Sequence, residues 1–287
     1  WADGSGATAA DYVKQSDEYH TIAVVGEREG GRHYFALDVT DPTVAPTFLW
    51  SFPQAGSTAG LAMGQTWNDL GPNAPPIGAI AELDPSGPLT VGGQQAKERF
   101  IVAFGGGYDP AYLRGRSIHF VDAWTGAQVF RYARVDAAGV ADPRLSLHSV
   151  AAPVSMIDTD SDGLFDYSIV GDVAGQVWTV SMSNPGEDTD ADGRYDNWYG
   201  ARAFIQFDGQ PIARRAPFFQ RAVAAQLDTG EFRVYLGSGD RAQIKDPNGG
   251  SCGMANMSAC LRKGCAVNLN ASVYDIGGHY VHEQLVL

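Results

Sequence analysis

The run Asp158-Thr-Asp160-Ser-Asp162-Gly163-Leu164-Phe165-Asp166 puts carboxylates at positions 1, 3, 5 and 9 of a nine-residue stretch, with glycine at position 6. Thirty residues later the pattern returns as Asp188-Thr-Asp190-Ala-Asp192-Gly193-Arg194-Tyr195-Asp196. Carboxylates at this spacing suit a turn that wraps a hard cation. The side chains at positions 1, 3 and 5 converge, and the glycine takes the left-handed backbone angle that closes the turn. Position 7 offers only its carbonyl oxygen, so Leu164 and Arg194 can differ freely, and position 9 binds directly or through a water. Both loops are read as Ca²⁺ sites, one ion each. Mg²⁺ fits less well, because it demands a tight octahedron and keeps its waters. The competing reading is an acidic surface turn, in which four aligned carboxylates would repel one another without a cation. Neither loop is an EF-hand. Position 12, where an EF-hand carries a bidentate Glu, is Ile169 in one and Tyr199 in the other. A further ligand must come from elsewhere or from water, which predicts weak affinity, on the order of 10⁻⁴–10⁻³ M.

The elements that hold such loops follow from composition and periodicity. With 287 residues, 35 of them glycine and only 18% charged, the chain suits many short strands joined by turns better than long helices. Three segments share one template. Pro76-Ile-Gly-Ala-Ile-Ala-Glu-Leu-Asp84 leads through a turn to Phe100-Ile-Val-Ala-Phe-Gly105. Pro153-Val-Ser-Met-Ile-Asp158 leads through the first acidic loop to Tyr167-Ser-Ile-Val-Gly171, and the run from Pro217 to Asp228 leads to Phe232-Arg-Val-Tyr-Leu-Gly237. Each reads as a strand ending in Asp, a turn, and an apolar strand ending in Gly. A third strand follows in two of them, at Ile118–Asp122 and Val177–Val180, and a partial copy opens the chain at Thr21–Gly26 and Tyr34–Asp38. The terminal glycines at 26, 105, 171 and 237 lie 79, 66 and 66 residues apart.

Strand–turn–strand units repeated at this interval predict an all-β chain, a β-propeller with blades near 20–75, 76–150, 151–215 and 216–287 and long loop insertions. A sandwich is the fallback, though it gives no reason for the repeat. Propellers close with about four to eight blades, and the first copy lacks its leading strand. The expectation is therefore an incomplete ring of about four recognisable blades, its remainder lying before Trp1. The first acidic loop then occupies the hairpin between the first two strands of its blade.

Charge narrows the partners. The formal net charge is −13, and eight of the 33 acidic residues lie in the two loops, so two bound Ca²⁺ would leave about −9. An acidic chain without a Lys/Arg cluster argues against nucleic acid and anionic membrane, and no apolar run is long enough to span a bilayer. Cys252, Cys260 and Cys265 lack metal-site spacing. They read as one disulfide among three possible pairings plus a leftover thiol, with reduced structural cysteine as the alternative. Calcium loops and cysteines both point outside the cytosol. Gly237-Ser-Gly239-Asp240 imitates a dinucleotide loop, but Pro247 follows too soon for the helix such a loop must open. His279 and His282 read as an edge-strand pair, and Trp178 as core.

These residues resemble a known family. Gly30-Gly-Arg-His-Tyr-Phe-Ala-Leu-Asp-Val-Thr-Asp-Pro42 followed by Phe48-Leu-Trp50, and the run from Met156 through the first loop to Trp178, are similar to the signature of the PilY-type proteins of type IV pili. Gln210-Pro-Ile212 and Gly237-Ser-Gly-Asp240 complete the order expected of that family's C-terminal propeller. The likeness covers residues from about 20 to 240. It implies a non-catalytic, extracytoplasmic protein of the cell surface or pilus tip, with periplasm and outer membrane as the other compartments. Its implied partners are other type IV pilus components, the minor pilins among them, and host or abiotic surfaces. Its implied role is pilus biogenesis and adhesion, with calcium tied to the balance of pilus extension and retraction. By position, Asp158, Asp160, Asp162, Asp166 and the Leu164 carbonyl carry the family's calcium ligands. The second loop, with Asp188, Asp190, Asp192, Arg194 and Asp196, has no counterpart in the pattern and rests on its own chemistry. No Arg-Gly-Asp tripeptide occurs. The alternative function is a periplasmic propeller enzyme, quinone-dependent or glycan-processing, which would need a central pocket with convergent polar groups.

Overall fold

The computed structural model describes residues 19–54, 62–67, 77–111, 113–134, 147–205, 217–226, 232–238, 273–275 and 280–281. The cysteines, the Gln210–Ile212 segment, Asp240, His279 and His282 lie outside the described residues.

The described elements are sixteen strands in four antiparallel sheets. The first sheet is β1 (Ile22–Gly26), β2 (Tyr34–Asp38) and β3 (Thr47–Phe52), in that order. The second runs β4 (Ile77–Leu83), β6 (Gln94–Gly105), β7 (Ser117–Asp122), β8 (Gln128–Ala133), with the short β5 (Leu89–Val91) paired to the start of β6. The third orders β9 (Ser155–Ile157), β10 (Tyr167–Gly171), β11 (Gln176–Ser181) and β12 (Tyr199–Ile205), and the fourth β13 (Val223–Gln226), β14 (Phe232–Gly237), β15 (Val273–Asp275) and β16 (Tyr280–Val281). Each sheet is a meander of one contiguous stretch of chain. In the first three, the outermost strand pair carries a register shift, at Ala36/Leu37, Phe120/Val121 and Val177/Trp178. Such bulges increase the local right-handed twist.

The apolar alternation of the strands decides how the sheets stack. In β6, Ile101 and Ala103 pack with residues of the third sheet, while Val102 and Phe104 pack with Tyr34, Trp50 and Phe52 of the first. In β10 and β11, Val170, Trp178 and Val180 turn to the second sheet, while Ile169 and Val177 meet Val234 and Leu236 of the fourth. Successive side chains point to opposite faces, so the second and third sheets are each covered on both sides by their neighbours in sequence. Sheets that stack face to face in chain order are blades of a β-propeller. Among the described residues no apolar cluster packs β1–β3 against β13–β16. Among the described residues the blades do not close a ring.

Two buried polar centres pin the stack. The Asp172 carboxylate, fully buried, accepts bonds from the amides of His148 (3.1 Å), Ala174 (2.9 Å) and Gln176 (3.1 Å), from Gln176 Nε2 (2.8 Å) and from Trp178 Nε1 (2.9 Å). Burial pushes its carboxyl above the ordinary value, against the pull of those donors. The Gly171–Gly175 turn is thus a knot that fixes Trp178 in the core, as expected of that tryptophan. His119 lies between Ser117 Oγ (2.7 Å from Nε2) and Gln128 Oε1 (3.0 Å from Nδ1), stacked among Phe52 and Phe104. Ser117 and His119 are each 1% exposed. A serine–histidine pair shut away from solvent is a structural hydrogen-bond chain.

Candidate metal centre

The first acidic loop joins β9 to β10, inside the hairpin between the first two strands of its sheet; the second joins β11 to β12. The local chemistry of the two is nearly superimposable. Asp158 accepts from the amides of Ser161 (2.7 Å) and Gly163 (2.9 Å), and Asp188 from those of Asp192 (3.2 Å) and Gly193 (2.8 Å). Asp160 and Asp190 each accept from the amide two residues on, both at 3.2 Å. Asp162 accepts from the Leu164 amide (2.7 Å), and Asp192 from the Arg194 amide (2.9 Å). Asp166 and Asp196 are each held by both the amide and the hydroxyl of the threonine at position 2, Thr159 and Thr189.

The backbone turns where the glycines predicted, with φ of 92° at Gly163 and 87° at Gly193. Position 4 is left-handed too, at Ser161 (64°) and Ala191 (60°), an angle that costs a non-glycine residue about 1–2 kcal/mol. Sequence reasoning did not single out position 4, nor the threonine at position 2. The threonine was signalled by its presence in both copies.

In the first loop, Asp158, Asp160 and Asp166 each present an oxygen within 4.8 Å of the others; in the second, Asp188, Asp190 and Asp192 do so. Calcium–oxygen bonds of about 2.3–2.6 Å give a coordination shell roughly 5 Å across, so each trio fits around one Ca²⁺. The fourth carboxylate lies outside its trio in each loop and differs between them, Asp162 in the first and Asp196 in the second, although Asp192 and Asp166 make the same local hydrogen bonds inside theirs. Burial, with the charges of Asp160, Asp158 and Asp166, raises the Asp162 carboxyl above its ordinary value against the pull of the Leu164 amide. The loop therefore concentrates negative charge that a cation would relieve. Asp196 is lowered by the Thr189 hydroxyl and amide. Leu164 is buried against Ala79, Ala81 and Ala96, whereas Arg194 is exposed, its guanidinium 3.9 Å from Asp192. At the corresponding bend of the second sheet, Asp84 has no further carboxylates in a loop; it caps the Ser86 amide (2.9 Å) and lies 3.5 Å from Lys97.

No protein-family model matches the chain. It is 25% identical over 256 residues, 86% of its length, to the type IV pilus biogenesis factor PilY1 homolog of Xylella fastidiosa. It is 25% identical over 219 residues, 74% of its length, to the type IV pilus biogenesis factor PilY1 of Pseudomonas aeruginosa. The chain resembles the PilY-type proteins. It spans only 15% and 16% of the length of these two curated relatives. Among solved structures, the P. aeruginosa PilY1 C-terminal domain aligns with a TM-score of 0.48 and 21% identity, over 79% of this chain and 42% of that one. BamB from Moraxella catarrhalis aligns with a TM-score of 0.35 and 16% identity, over 76% of this chain and 44% of that one. Among the described residues no helix is long and apolar enough to cross a membrane.

Proposed function

We propose that this chain is a calcium-stiffened propeller segment of a PilY1-like type IV pilus biogenesis factor, non-catalytic and acting outside the cytosol at the cell surface or pilus tip. The observation that carries the reading is the Asp158–Asp166 loop, where three carboxylates converge within 4.8 Å inside the PilY-type signature run. Asp158, Asp160, Asp162 and Asp166, with the Leu164 carbonyl, would hold the first Ca²⁺. Asp188, Asp190, Asp192 and Asp196, with the Arg194 carbonyl, would hold the second. The ion would supply charge neutralisation and a fixed loop shape. It would have no reacting partner, so its effect would be mechanical. Because the expected affinity falls in the range of extracellular calcium, occupancy would follow the surroundings, and with it the stiffness of a surface that engages minor pilins during extension and retraction, or a host or abiotic surface during adhesion.

Stabilisation by mass action is about 2.7 kcal/mol per site when free calcium is a hundred times Kd, or about 5.4 kcal/mol for two sites. For a domain of this size the pair raises the melting temperature by roughly 10–20 °C. Thermal melts with calcium and with chelator test the reading. Wild-type protein should show the increment, and Asp160→Ala should lose at least half of it. Identical melts in the two buffers would refute it.

A further inference from the structure

Both acidic loops belong to the third sheet, yet each is fastened to the second. Phe165, eighth in the first loop, donates its amide to the Ala79 carbonyl (2.9 Å). Its ring covers Gly78 so closely that a Cβ there would stand 1.9 Å from Cε2. Tyr195, eighth in the second loop and 4% exposed, donates its amide to Val129 of β8 (2.7 Å). Its hydroxyl accepts from Arg99 of β6 (3.1 Å), and that guanidinium also binds Glu82 and Asp122, each at 3.0 Å. Gly186, two residues ahead of Asp188, donates to Ala81 (2.8 Å) and accepts from the Leu83 amide (2.9 Å). One edge of β4 pairs with β6. Ala79, Ala81 and Leu83, two apart, turn their peptide groups to the other edge. The first loop therefore takes that edge at Ala79, and the approach to the second takes it at Ala81 and Leu83.

We propose that the two loops are a coupled pair, in which an ion in one raises the affinity of the other through the shared edge of β4. The proposal rests on reading both loops as calcium sites. A loop drawn around an ion fixes the residues at positions 7 and 8, hence Leu164 and Phe165 in one case and Tyr195 in the other. Whichever ion binds first orders the β4 edge and the seam between the second and third sheets. The second ion then meets a loop whose anchor is already set, which is positive cooperativity through ordering. Joint occupancy sets the rigidity of the seam.

Calcium titration calorimetry on the whole chain, with circular dichroism to verify folding, tests this. Wild type should bind two ions with a Hill coefficient above one. Asp160→Ala and Asp190→Ala should each keep one ion, bound at least about twofold more weakly than the wild-type mean, because coupling of about fivefold, the lower end of the ordinary range, enters the mean of two sites as its square root. Asp160→Asn, isosteric at the exposed side chain, should behave like Asp160→Ala. Phe165→Ala keeps all eight carboxylates and should keep both ions while losing the cooperativity. Two ions in wild type, with unweakened binding at the surviving loop of each variant, would overturn the coupling and leave the calcium reading standing. Persistence of cooperativity in Phe165→Ala, which keeps the amide bond to Ala79, would overturn the ring's part in the route through β4. No ion in wild type would overturn the calcium reading and the coupling together.

Discussion

The buried imidazole of His119 should make the fold acid-sensitive below the ordinary histidine pKa. The ring is 1% exposed, packed 4.9 Å from Phe52 and 5.7 Å from Phe104, centroid to centroid. Burial, reinforced by the charge of Arg131, lowers its pKa from the ordinary 6.5 to about 3, against the pull of Gln128. Between those values the unfolded chain takes up a proton that the folded chain refuses, so stability is intact above 6.5 and falls with pH below it. The slope is about 1.4 kcal/mol per unit, or about 2 kcal/mol between pH 6.5 and 5.0. Urea unfolding of wild type and His119→Asn, in saturating calcium at pH 7.0 and 5.0, isolates this contribution. The substitution lowers stability at both pH values, but the quantity read is the difference between them. Carboxylate titration is common to both proteins and cancels. The difference should be about 2 kcal/mol larger in wild type. Equal pH dependence in the two proteins would refute the account of a neutral, desolvated ring.

Asp172→Ala orphans buried donors from Ala174, Gln176 and Trp178. At about 1–3 kcal/mol for each orphaned group, it should cost at least 3 kcal/mol in denaturant unfolding and alter near-ultraviolet tryptophan dichroism; a loss under 1 kcal/mol would show that the knot does not matter. Ala191→Gly should gain about 1 kcal/mol, because φ there is 60°, and thermal unfolding with chelator reads it free of calcium. Tyr195→Phe keeps the ring but removes the hydroxyl that accepts from Arg99, so it should lose about 0.5–1.5 kcal/mol; an unchanged midpoint would remove that bond from the account of the seam.

The repeating strand–turn–strand pattern was legible because apolar alternation and terminal glycines are local signals. Phe100–Gly105, Ile118–Asp122 and Tyr167–Gly171 read as strands and are strands, their alternate residues buried against different neighbours. The extension of β6 back to Gln94 was not legible. Its residues Gln94-Gln-Ala-Lys-Glu-Arg99 are mostly polar, and the strand is held there by β4, by β5 and by ion pairs such as Arg99–Glu82, which only the fold brings together. In the acidic loops the carboxylates and glycines declared themselves through spacing. Phe165 and Tyr195 did not, although an aromatic stands at position 8 in both copies. Their meaning lies in Gly78 and Arg99, and the Arg99–Tyr195 bond spans 96 residues of sequence. Local pattern marks where a cation would be bound, while the elements that feel the binding are set by tertiary contacts.

Calcium counted per chain after equilibrium dialysis, by elemental analysis of the purified protein, tests the central claim most directly. The account predicts two ions in wild type, and one in either Asp160→Ala or Asp190→Ala. Wild-type protein that carries no calcium after dialysis against tens of millimolar ion, well above the expected Kd, would contradict it.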